Sequence, residues 1–406
     1  MAWRNIWRNT RRSVLTILAI VFATMLLVFM LSFQFGSYDT MINTAVKIHT
    51  GHVQVQAAGY NDKMDIRLVV PDPAAVYNLV KDIREVEAYT SRANAFALVS
   101  SSDRTYGILL TGIDPEREAK VSTLVKLVRR GEYLAGEDRD MALVGDLLAE
   151  NLKVDIGDDL VLLGQGRDGS VAASILKVKG IFSSGQDKFD RNSIQMPLGY
   201  FQDVFSMNGT VHEIVVLSRS LKEVKIIKKE LGAGVGGIDS DGNLAVLDWM
   251  ELMPGLIQSI KLDLVSGLIM YVILIVVVAF SILNTFLMVI FERTREFGVL
   301  MAVGMTPGRL MRSLFLESMS ITCIGIILGI ISGGMVTWYF QVHGILISGA
   351  SELLSQFGLP DRMYPQLSVL SISVGAGIVL IITILTAVYP VLKVWRLKPL
   401  KAMNAV

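Results

Sequence analysis

Four stretches of this chain run without a charged side chain: Ser13 to Tyr38, Leu264 to Phe291, Ser318 to Ser351 and Met363 to Leu392. At about 1.5 Å of rise per residue, each is long enough as a helix to cross the ~30 Å hydrocarbon core of a bilayer. The chain between the first and second follows another pattern, in which short alternating runs are separated by turn residues and charged, half-apolar helical stretches. The expected fold is therefore an α-helical membrane protein with four transmembrane helices and a large α+β exterior domain inserted between helices 1 and 2. The expected boundaries are an interfacial helix over 1–12, spans over 13–38, 264–291, 318–343 and 367–392, and an exterior domain in two lobes over 39–247. An amphipathic extension of the second span covers 248–263, a cytoplasmic segment 292–317, an exterior loop 344–366 and a cytoplasmic tail 393–406.

Within the insert, His52–Gln56 alternates with period two and predicts the first strand. Asp72-Pro73 and Asp114-Pro115 each place a capping carboxylate before a proline, the start signal of a helix. Val76, Leu79, Val80, Ile83 and Val86 would line one face of the first helix; Val121, Leu124, Val125 and Val128 would line one face of the second. Met141–Asn151 is expected as a helix with Leu143, Leu147 and Leu148 inward. Strands over Arg104–Thr111 and Leu160–Gly164 follow from their patterning, and the turn Gly164–Gly169 leads into a return strand ending at Phe182. A strand over Val211–Leu217 and a charged amphipathic helix over Leu221–Leu231 complete the insert. Pro254 and Gly255 are expected to kink the extension of the second span.

Composition agrees with a mixed membrane and water-soluble chain: 52% of residues are hydrophobic and 18% charged. The formal net charge of +1 conceals an asymmetry. Residues 1–12, 292–317 and 393–406 hold twelve Lys or Arg against three acids, whereas 36–263 hold 25 against 32. By the positive-inside bias, both termini and the 292–317 segment face the cytoplasm and the insert faces outside. Met1–Arg12 gathers Trp3, Ile6 and Trp7 among four arginines, the pattern of a helix lying on an anionic leaflet. No lipobox or small-residue cleavage site follows the first apolar run, so it is expected to be retained as an anchor. The single cysteine, Cys323, falls inside an apolar run and cannot form an intramolecular disulfide.

Between the second and third spans lies ERTREFGVLMAVGMTPGRL. Phe297, Leu300, Met301 and Gly304 recur at helical spacing and form one apolar or small face; Thr306-Pro307 then restarts the helix after a tight turn. This segment resembles the signature joining the second and third membrane helices of ABC permeases of the MacB, LolC/LolE and FtsX superfamily. RNIWRNTRRSVLTILAI at the start and YPVLKVWRLKPLKAM at the end are similar to the same family. TGHVQVQAAGY, LTGID and MALVGDLLAENLKVDIGDDLVLL in the insert look like its lipoprotein-releasing LolC/LolE branch. The resemblance implies that Glu292, Arg293, Arg295, Glu296, Phe297, Gly298, Leu300 and Met301 couple the permease to a separate cytoplasmic ABC ATPase dimer, which binds the ATP and Mg. It also implies a second permease subunit, identical or not, and a localisation in the bacterial inner membrane. The hairpin tip at 164–170 is short and glycine-rich where LolC-type chains carry a long hook, which weighs against direct docking of a soluble lipoprotein chaperone.

Gly325, Gly329 and Gly333 sit four apart and present a smooth face for helix packing, within the subunit or across a dimer. Gly232, Gly234 and Gly237 satisfy GxGxxG but follow a charged helix instead of a buried strand, so no dinucleotide site is expected. His49 and His52 have no companion ligands for a metal. No Walker A sequence occurs, and no cofactor, catalytic group or nucleic-acid partner is expected for this chain. The spans hold only isolated polar groups such as Gln34, Asn284 and Thr285, which argues against a polar solute route. The expected function is an ABC permease that extracts or releases a lipoprotein or another hydrophobic substrate from the outer leaflet of the inner membrane. Membrane lipids surround it, and a periplasmic partner is possible. The alternatives are an FtsX-like relay activating a cell-wall hydrolase and a MacB-like efflux permease.

Overall fold

The structure is a computed structural model that describes residues 10–102, 104–239, 242–346 and 362–395. The expected interfacial helix, most of the exterior loop and nearly all of the cytoplasmic tail lie outside the described residues. Contacts divide the chain into a unit of apolar helices and a unit formed mainly by Met41–Gln258. The first helix, α1 (Thr10–Ala45), ends in a π-helical turn, Val46–Thr50. Gly51 closes it at φ 72°, a conformation open to glycine because no Cβ meets the following carbonyl.

The insert begins with β1 (Val53–Ala57). Helix α2 (Pro73–Asp82) starts where the sequence signals it: Asp72 accepts from the amides of Ala74 and Ala75, both at 3.1 Å. Val86 belongs instead to the long strand β2 (Val86–Ser100), which turns into β3 (Thr105–Ile113). Helix α3 (Pro115–Val121) is capped by Asp114 and stops at once, because the Ser122 hydroxyl donates to the Ile48 carbonyl at 2.7 Å. The expected continuation through Val128 is a 3-10 turn, Leu124–Leu127, followed by β4 (Val128–Gly131). The helix expected over Met141–Asn151 is a strand, β5 (Met141–Gly145), before a shorter helix α4 (Asp146–Leu152). The unbroken run MALV is covered on both faces, Ala142 and Val144 packing in one core cluster and Leu143 in another, and a short apolar run of that kind carries no period that separates strand from helix.

Strands β6 (Asp159–Gln165) and β7 (Val171–Phe182) form the expected hairpin, with Val161 opposite Ile175. Helix α5 (Asp187–Asn192), β8 (Ser193–Pro197), α6 (Leu198–Val204), β9 (Glu213–Ser218), α7 (Val224–Ile238) and β10 (Leu244–Asp248) complete the insert. Gly232, Gly234 and Gly237 lie inside α7, so the GxGxxG spacing forms no loop. All ten strands belong to one sheet, but its pairings close a ring: β2-β3-β8-β5-β7-β6 and back to β2. Ala97, Val99, Leu160, Leu162, Leu176 and Ile194 fill the ring. The first half of β2 leaves it to pair with β9, and β1 and β10 extend that edge. The long strand β2 therefore serves both a closed ring and an open sheet.

Asp248 and Glu251 form a capping box over one helical turn, and Lys228 reaches both carboxylates at 3.2 and 2.5 Å. Pro254 then occupies the first position of a new helix, α8 (Pro254–Ala302), and so starts the helix that it was expected to kink. Helix α9 (Pro307–His343) ends at Gly344 with φ 70°, followed by β11 (Ile345–Leu346) paired with β12 (Arg362–Met363). The last described element is α10 (Val369–Trp395). The apolar helices meet around Ile20, Leu27, Ile282, Ile321, Val379 and Ala387. The Ser32 and Ser371 hydroxyls bond at 2.8 Å between α1 and α10. Four helices, within Ser13–Thr50, Pro254–Asn284, Pro307–His343 and Val369–Ala387, are long and apolar enough to cross a membrane.

Candidate functional site

The segment singled out by its charge folds as a helix, a turn and a helix. Gly304 sits at φ 105° just past the end of α8, its amide donating to Met301 and that of Met305 to Leu300 at 3.1 and 3.0 Å. These two bonds form a Schellman turn. Thr306 takes the N-cap position of α9, but its side chain makes no capping bond. Phe297 is 1% exposed and packs on Ile290, Met305, Leu310 and Leu314. Arg293 pairs with Glu296 at 3.1 Å and with Glu317 of α9 at 3.4 Å, and its guanidinium lies over the Phe297 ring.

Arg293 and Phe297 thus brace the turn from within, and Gly298 is buried beside them. Met301 is half-buried, whereas Glu292, Arg295, Glu296 and Leu300 face outward. Val299 and Val303 join this outward set and were not singled out from the sequence; Val303 is 82% exposed. Their signal is the spacing Arg295, Val299, Val303, a row at i, i+4, i+8 that the stronger Phe297–Met301 pattern masks.

The packing glycines meet α1 of the same chain. A Cβ at Gly325 would come within 2.6 Å of Ile20, and one at Gly329 within 2.5 Å of Thr24. At Gly333 it would approach the Met25 backbone at 3.1 Å.

A further site emerges between α1 and α8. A cleft of about 500 Å³ is walled by Phe29, Met30, Phe33 and Met270 and ends in polar groups. Tyr271 donates to the Gln34 side-chain oxygen Oε1 at 2.8 Å, the Gln34 side-chain Nε2 donates to the Tyr38 hydroxyl at 2.8 Å, and Tyr38 donates to Asp263 at 2.5 Å. Gln34 is thus part of a chain of hydrogen bonds and not an isolated polar group. Gly267 leaves it room, since a Cβ there would lie 2.6 Å from its amide nitrogen. No local spacing in the sequence marks this constellation, because Tyr38 and Asp263 mark the ends of apolar runs, where tyrosines and acids are common at a membrane interface, and Tyr271 lies inside one. Asn284 is exposed on α8.

In the insert, Phe96, Leu98, Leu163 and Ile175 stand exposed on the outside of the strand ring, the first three lining a groove of about 690 Å³ beside Lys188 and Phe189. Among the described residues no group of His, Cys, Asp and Glu has the arrangement of a metal site.

Four apolar helices, a large α/β insert after the first and a braced turn between the second and third define a polytopic membrane protein with a water-facing domain. The MacB-like periplasmic core domain family matches residues 13–233, and the FtsX-like permease C-terminal family matches residues 268–399. The chain belongs to this MacB/LolC/FtsX family of ABC-transporter permeases. It is 24% identical over 316 residues to the lipoprotein-releasing system transmembrane protein LolC of Xylella fastidiosa, covering 74% of each chain. It is 22% identical over 424 residues to the pyoverdine export ATP-binding/permease protein PvdT of Pseudomonas fluorescens, covering 100% of this chain and 58% of that one. The crystal structure of the periplasmic region of MacB from Actinobacillus actinomycetemcomitans aligns with 53% of this chain and 94% of its own, at 12% identity and a TM-score of 0.39.

Proposed function

We propose that this permease draws a lipid-anchored or similarly hydrophobic substrate sideways from the outer leaflet of the inner membrane, using ATP hydrolysed by a separate cytoplasmic ATPase dimer. The observation that carries this reading is the cleft between α1 and α8: it is apolar along its walls and polar at one end, as an amphiphile with one chain requires. The charge-free runs of the spans hold no Asp, Glu, Lys or Arg, which disfavours a polar solute route. The ATPase is seated on the outward row Arg295, Val299, Leu300 and Val303, with Arg293 and Phe297 holding that row rigid. A second permease subunit completes the transporter, and the insert faces the periplasm.

The test is photo-crosslinking in native membranes from cells fed an alkyne-tagged fatty acid, with a benzophenone amino acid at Met30 or Met270 and, as a control, at the outward-facing Leu18. Acyl-tagged protein adducts at the two cleft positions and none at the control are expected. Adducts confined to the chain's own helices, or a regulatory hydrolase captured without acyl tag, would replace transport by a relay.

A further inference from the structure

The polar end of the cleft has spent its donors. Gln34 directs its amide toward the Tyr38 hydroxyl at 2.8 Å and the Asp263 carboxylate at 3.5 Å, while the Tyr38 and Tyr271 hydroxyl protons go to Asp263 and Gln34. The two serines of the lining are committed as well: Ser37 donates to the Phe33 carbonyl at 2.8 Å and Ser266 to the Leu262 carbonyl at 3.1 Å. Backbone amides along both helices are used in the helical ladder. What remains is acceptor capacity. A carboxylate offers about four lone-pair sites, of which two are taken, and the Tyr271 oxygen accepts nothing among the described residues. Asp263 is the one formally charged residue of the lining, and no Lys or Arg joins it.

A ligand head that fits must therefore bring hydrogens and positive charge. A sulfate, phosphate or carboxylate would meet only oxygen lone pairs and a like charge, and a carbonyl would find no donor. We infer that the cleft selects an amphiphile whose head is a protonated amine set close to its apolar chain, namely the free α-amino terminus of a lipid-anchored polypeptide. This rests on reading the cleft as the substrate's way in and narrows it to one chemistry. A phosphatidylethanolamine head also carries an ammonium, but its phosphate sits a few atoms away and the lining holds no cation to receive it.

The experiment uses the full chain in phosphatidylcholine nanodiscs and a diacylated lipopeptide labelled at its C-terminus, with its amino terminus either free or acetylated. The free-amine form is expected to bind about tenfold more tightly than the acetylated one. Asp263→Asn is expected to bring that ratio close to one. Asp263→Asn is also expected to keep the wild-type affinity for the acetylated form, which separates loss of recognition from loss of fold. Gly267→Leu, which fills the cleft, is expected to weaken both forms. Equal binding of the two forms by the wild type, or an unchanged ratio in Asp263→Asn, overturns the amine inference and leaves the cleft reading standing. Competition by phosphatidylethanolamine as strong as by the free-amine lipopeptide overturns the choice of a peptide amine. Failure of either form to bind, or indifference to Gly267→Leu, overturns the cleft reading itself.

Discussion

Arg92 is fully buried, and its guanidinium meets Glu118 through two bonds at 3.0 and 2.6 Å while a third bond goes to the His49 carbonyl. It therefore holds the π-helical turn after α1 through a buried ion pair, and a buried charge left without its partner is strongly destabilising. Arg92→Ala is expected to lower unfolding stability by about 3–5 kcal/mol, measured by denaturant unfolding of the full chain in detergent. His212 is held neutral nearby: its Nδ1 accepts from the Asn94 amide at 2.8 Å, its other nitrogen lies 3.0 Å from the Ile66 carbonyl, and Tyr60 stacks on the ring. Burial pushes it from 6.5 down to about 4, and His52 likewise. The unfolded imidazoles bind protons below about pH 6.5 while the folded ones resist until about 4, so stability falls as pH drops through that window. Glu213, pushed up by burial, acts with the opposite sign, which is why the difference between wild type and His212→Gln is the useful quantity. The fall in melting temperature between pH 7.5 and 5 is expected to be smaller in His212→Gln than in wild type; equal falls would contradict this assignment. None of these pairings was legible in the sequence, since Arg92 and Glu118 are joined by tertiary folding and carry no local spacing.

At the scale of elements, the start signals that act through the backbone were legible. Asp72-Pro73 and Asp114-Pro115 begin helices because a carboxylate and a fixed φ satisfy the same local geometry anywhere. Elements decided by burial were not: MALV became a strand because its two faces are covered by different clusters, Ala142 and Val144 in one and Leu143 in the other, and Pro254 opened a helix because the turn begun by the capping box at Asp248 ends at Met253. The helix, turn and helix of 292–317 were legible from the charge and the Thr306-Pro307 restart, but Phe297, expected among the residues that meet an ATPase, is turned inward, its ring folded back onto α9 by the short turn at Gly304. Consequently Phe297→Ala is expected to loosen the turn itself, whereas Val303→Asp leaves it folded and weakens ATPase association at least tenfold, read by co-purification and by stimulated ATP turnover. The glycine stripe yields a sharper comparison. Gly329→Leu drives a side chain into Thr24 and is expected to lower the melting temperature of the detergent-solubilised chain by several degrees, while Gly334→Leu, with nothing within 4 Å, is expected to change it little.

The whole molecule was legible as an alternation of apolar runs and charged segments, because a bilayer demands long uncharged helices and little else in these proteins imitates them. What the sequence concealed is how the insert is tied to the chain on either side. Strand β1, which follows α1, and strand β10, which precedes α8, are direct antiparallel neighbours, with Val53 opposite Asp248, and the Trp249 amide donates to the His52 carbonyl at 3.0 Å. With the ATPase seated on the turn at the end of α8 as proposed, a change in that turn is expected to alter the α1–α8 cleft. The most direct measurement is the distance between spin labels at Ser37→Cys and Ser266→Cys in a Cys323→Ser background, with the full chain bound to its ATPase in nanodiscs. ATP is expected to shift that distance distribution by several ångströms, and Val303→Asp to abolish the shift without changing the nucleotide-free distribution. An identical distribution with and without ATP, in a complex that hydrolyses ATP at its normal rate, would contradict the coupling of the turn to the cleft.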